Sequence, residues 1–95
     1  MSTQATIPIT QETIWSRIID ADQGDLTREA ADYFLKLDFR PSDHERIAEL
    51  SEKANGGTLT SLERAELEEY IRVGDLIALI QSKARRSLKQ HGQVA

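Results

Sequence analysis

The segment Asp20-Ala21-Asp22-Gln23-Gly24-Asp25-Leu26-Thr27 carries the ingredients of a calcium loop. It has alternating carboxylates, a glycine turn and a hydrophobic residue between two helical patterns. The register does not fit. With Asp20 first, glycine falls at the fifth position instead of the sixth, and Ala31 stands where a bidentate Glu is required. The segment is therefore expected to be a helix–helix turn with solvated carboxylates, Asp25 or Thr27 helping to cap the second helix. His44-Glu45 opens like a zinc-protease helix, but Ala48 stands where that motif needs its second histidine. The other histidine, His91, sits near the end of the chain. Neither has the neighbours that metal binding or acid–base work needs. No catalytic, cofactor-binding or metal-ligating residue is nominated, no cofactor is expected, and a non-enzymatic protein is the expectation.

Two further patterns bear on binding. Glu63, Glu66, Glu68 and Glu69 are followed, beginning about four turns after Glu69, by Lys83, Arg85, Arg86, Lys89 and His91. Acids early and bases late complement a helix macrodipole, which explains the order without any ligand. The functional reading gives the basic end to an acidic partner or to nucleic acid. Nucleic acid is the minority alternative, because no aromatic residue is interleaved for base stacking. The second pattern is the run Leu76-Ile77-Ala78-Leu79-Ile80, which is apolar nearly all round a helix. Such a girdle is either wrapped by the chain's own helices or left as an apolar patch for a second chain.

The elements that would position these residues are all helical. Thr10 is expected to cap a helix over 10–20, with Ile14, Trp15, Ile18 and Ile19 on its buried face. A second helix over 27–37 starts at Thr27 and buries Ala30, Ala31, Phe34 and Leu35. Pro41 then disfavours helix at Arg40. Ser42-Asp43-His44-Glu45 and Thr60-Ser61-Leu62-Glu63 both match a capping box. They predict helices over 42–55, ended by Asn55-Gly56-Gly57, and over 60–90. The last is a rod about 45 Å long, with one broad apolar stripe through Leu62, Tyr70, Val73, Ile77, Ile80, Ala84 and Leu88. The expected fold class is all-α, three short helices packed on one long C-terminal helix. Residues 1–9 form a flexible lead, 10–92 one domain, and 93–95 a tail.

Composition sets the outer bounds. The 95 residues are 39% hydrophobic and 29% charged, with a net charge of −4. That is enough for one modest core and argues against global attraction to nucleic acid or anionic lipid. The absence of cysteine excludes disulfides and thiolate metal sites. With neither a signal-like start nor a membrane-length apolar run, no membrane association is expected and the default location is the cytoplasm.

Several stretches resemble a group of small bacterial helical proteins. They are Ile14-Trp15-Ser16-Arg17, Leu26-Thr27-Arg28-Glu29-Ala30-Ala31, Asp43-His44-Glu45-Arg46-Ile47, Gly57-Thr58-Leu59-Thr60 with Glu63-Arg64-Ala65-Glu66-Leu67-Glu68-Glu69-Tyr70, and Gln81 to Lys89. The likeness spans about Gln11 to Lys89. Those proteins look like the small partner of a nuclease or toxin-like protein in a two-gene operon. The resemblance implies an antitoxin-like or accessory binding role and transfers no catalytic residue.

The expectation is thus a protein-binding module whose partner is a toxin or nuclease from an adjacent gene. Leu76, Leu79 and Ile80 are its candidate apolar anchors, and Lys83, Arg85 and Arg86 its charged contacts. A homodimer packed around Gly74 and Ala78 is the runner-up.

Overall fold

The computed structural model describes residues 9–92. Residues 1–8 of the expected lead over 1–9, and the expected tail over 93–95, lie outside them. The protein is all-α: α1 spans Gln11–Ile19, α2 Arg28–Leu35, α3 Pro41–Asn55 and α4 Ser61–Gly92. At 32 residues, α4 is about 48 Å long. It is the spine. Each short helix packs on α4, and no two short helices pack on each other. Core is therefore built in separate patches along one rod. Among the described residues only Ala31, Leu50, Ala84 and Ser87 are fully buried.

Local chemistry sets most boundaries. Thr10 and Thr27 accept from the backbone N–H groups of Thr13 and Ala30, satisfying donors that a helix start leaves orphaned. Thr60 and Glu63 form the reciprocal capping box, at 3.1 Å and 3.0 Å. At the end of α3 the N–H of Thr58 bonds the Lys53 carbonyl, and that of Gly57 bonds Ala54. This is a Schellman closure, and it needs the left-handed φ of 71° that Gly57 adopts.

The start of α3 departs from expectation. Ser42 and Glu45 form no capping box: the N-cap is Arg40, it makes no side-chain cap bond, and Pro41 is already in the first turn. Proline's fixed φ suits the first helical position and its missing N–H removes an orphan there, so the helix opens before the serine. Asp38 steadies the approach instead, accepting from the Phe39 N–H at 2.7 Å and bonding His44 Nε2 at 2.9 Å.

The two ends of α4 are held differently. Near its start, Arg46 of α3 makes a bidentate pair with Glu66, at 2.9 Å and 2.8 Å, and Lys53 pairs with Glu63. The Tyr70 hydroxyl donates to Asp43 at 2.7 Å. Phe39 meets the Tyr70 ring edge-on and passes over Gly74. Leu50, on the same helix α3, is fully buried. Further along, Gln81 donates its side-chain amide to the carbonyls of Phe34, Leu35 and Leu37, closing the end of α2 with a side chain from α4.

Candidate interaction surface

The loop that resembles a calcium site shows how the basic end of α4 is used. Asp20 ends α1 in the left-handed region, at φ 50°, a conformation Asp tolerates better than most side chains. The Lys83 ammonium enters this turn. It donates to the Ile19 carbonyl at 2.6 Å and the Asp20 carbonyl at 3.3 Å, and pairs with the Asp25 carboxylate at 2.7 Å. A lysine thus occupies an oxygen cluster of the kind a cation would seek, and its hydrogen bond holds Asp25 below the usual carboxylate range. Beside it, Arg86 Nε donates to the Ala21 carbonyl at 3.1 Å. Ser87 accepts from the Leu26 N–H at 3.1 Å and donates to the Lys83 carbonyl at 2.9 Å. His91 Nε2 meets the Leu26 carbonyl at 2.9 Å. The loop lies so close to α4 that a Cβ on Gly24 would stand 3.0 Å from the Arg86 backbone. Among the described residues no group of three or more His, Asp or Glu side chains is arranged to hold a metal ion.

The six candidate contact residues therefore divide. Lys83 has only 12% of its side chain exposed, and Arg86 is exposed but bonded to the loop. Arg85 is exposed. Leu76 and Leu79 are half-buried and line a groove of about 450 Å³ between α1 and α4. Ile80 is half-buried in an adjoining depression with Ile18, Ile19, Leu26 and Phe34. The girdle from Leu76 to Ile80 is partly internal: α1 lies over one side of it and α2 over another.

The open apolar surface is on α1. No residue of that helix is fully buried. Ile14 is 45% exposed, Trp15 39% and Ile18 65%, and Val73 of α4 is 46% exposed. Trp15 lines both the groove and the depression, and so forms the ridge between them. The stripe that its spacing marks as a buried face is turned partly away from α4. Gln11, Glu12, Thr13 and Ser16 line the groove instead, with Glu69, Arg72 and Asp75 from α4. A signal for this was present in the sequence. Four large apolar side chains within a nine-residue helix exceed what one line of contact with a rod can cover.

The rim of the groove is charged. Arg72 lies 3.6 Å from Glu69, while Glu12 and Asp75 make no ion pair with the described residues. No described helix is long and apolar enough to cross a membrane. Comparison with protein-family models, with curated proteins and with solved structures finds no match to this chain.

Proposed function

We propose that this chain is a non-enzymatic protein-binding module of antitoxin or accessory-subunit type, acting in the cytoplasm, and that the α1–α4 face receives its partner. The observation that carries this reading is the exposure of Trp15 and Val73 on the groove, with Ile18 exposed in the adjoining depression. Apolar side chains grouped on one face, over a groove and within a polar rim, are the usual form of an interaction site. Trp15 is the natural anchor, since buried tryptophans dominate binding energy at such surfaces. Leu76 and Leu79 serve as the floor beneath it, with Ile80 in the neighbouring depression. Arg85 remains available at the far end.

The geometry also ranks the alternatives. Lys83 gives its donors to two of the chain's own carbonyls and to Asp25, and Arg86 gives its Nε–H to the Ala21 carbonyl, which leaves a smaller basic surface for phosphates and favours a protein partner. The module would act by occupying or masking a partner's surface.

Co-expression with the product of the adjacent gene tests this. The pair is expected to copurify, and the double variant Ile18→Asp/Val73→Asp to abolish copurification while keeping its helical circular dichroism. Failure of the wild-type pair to copurify, or undiminished copurification by the variant, would contradict it.

A further inference from the structure

The lining of the α1–α4 groove specifies the chemistry of its occupant. Trp15, Val73, Leu76 and Leu79 make its apolar surface. Its charged lining is three carboxylates, Glu12, Glu69 and Asp75, against the single guanidinium of Arg72. Arg72 is directed to Glu69, so Glu12 on α1 and Asp75 on α4 are the uncompensated charges, one on each helix. Both are exposed, and an acidic side chain costs least where water still reaches it.

We infer that the groove takes a basic amphipathic helix from the partner, with apolar side chains against Trp15 and Val73 and Lys or Arg side chains beside Glu12 and Asp75. This rests on the protein-binding reading and adds the charge of the partner to it. A helix laid in a groove is anchored by residues three and four apart. The flanking charges fix its register and speed its approach more than they deepen its affinity. An acidic or neutral helix would bury its apolar face equally well, but would meet like charge or no charge at the rim. A second copy of this chain is a poorer occupant. Its own apolar helix α1 sets one acid, Glu12, against one base, Arg17, and so has no basic excess, and its Lys83 and Arg86 are bonded to the loop.

Trp15 is the only tryptophan in the chain, so its emission reports on this groove without a label. The probe is a designed Leu/Lys amphipathic peptide of about 18 residues, roughly five helical turns, compared with its Leu/Glu counterpart. The Leu/Lys peptide is expected to shift Trp15 emission to the blue, saturably, and to bind at least about tenfold tighter than the Leu/Glu peptide. Glu12→Lys/Asp75→Lys is expected to erase or invert that preference with the helical signal unchanged. Equal binding of both peptides, or a preference that survives the charge reversal, overturns the inference about charge and leaves the protein-binding reading intact. No binding of either peptide overturns the inference too, while copurification with the neighbouring gene product still judges the broader reading. A blue shift that grows with protein concentration alone, with a doubled mass in light scattering, assigns the groove to a second copy and overturns the basic-helix inference.

Discussion

The α3 and α1 helices pack on the same rod, yet they meet it in opposite ways. Against α3, the rod has a buried leucine, a bidentate ion pair, a second lysine–glutamate pair and a tyrosine–aspartate bond. Against α1, no residue of the short helix is fully buried, and its end is held chiefly by Lys83 at the adjoining turn. One docking is finished within the chain. The other leaves apolar surface that a partner can still cover. The difference teaches that helical spacing shows which residues can be buried together, while the connections decide whether they are.

The contrast is broken most strongly at Leu50. Leu50→Ala is expected to cost about 2–5 kcal/mol in chemical denaturation, the range for a fully buried leucine. A loss below about 1 kcal/mol would mean the α3 patch is not the stable part of the molecule. Ser87→Ala should cost about 1–3 kcal/mol, because it strands the Leu26 N–H against α4. An unchanged denaturation midpoint would show that water satisfies that group. Lys83→Met should lower the melting temperature more than Arg85→Met, since only Lys83 fills the turn after α1. Equal effects would dismiss its role as an internal cation.

Acid should loosen the α3 end specifically. The Lys53 ammonium and the Thr60 N–H hold the Glu63 carboxyl at about 2, against an ordinary 4.5, and Arg46 lowers Glu66 likewise. A lowered folded-state value contributes stability that is complete above pH 4.5 and is lost as pH falls through about 2. Thermal melts of the wild type and Glu63→Gln should therefore converge over that window, and parallel curves would contradict the assignment. The smallest effect belongs to the open face. Ile18→Asp and Val73→Asp should each change stability by no more than about 0.5 kcal/mol. A large loss at either site would place it in the core.

The fold class is legible in the sequence because helix signals are local. Thr10, Thr27 and Thr60 cap where their spacing predicts, and Gly57 closes α3. The box at Ser42 does not form because the adjacent Pro41 makes a better first residue. The binding face is harder to read. Leu76, Leu79 and Ile80 stand out as apolar all round the rod, but which sides α1 and α2 cover depends on the path of the 20–27 loop. That path is set by Gly24, Lys83, Arg86 and Ser87 acting on backbone carbonyls and N–H groups, partners that side-chain spacing does not reveal. The same bonds explain why two residues of a solvent-facing charge run become internal ties. Spacing alone puts Trp15 and Ile18 on a buried face, and only the three-dimensional arrangement shows that α4 leaves both of them partly open.

Hydrogen–deuterium exchange on the co-purified complex tests the central claim most directly, since it maps covered backbone without altering the chain. Binding is expected to add protection across α1 and across residues 69–79 of α4, with α3 unchanged. Protection confined to α3 or to the basic turns around Arg85, with α1 exchanging as in the free protein, would contradict the account.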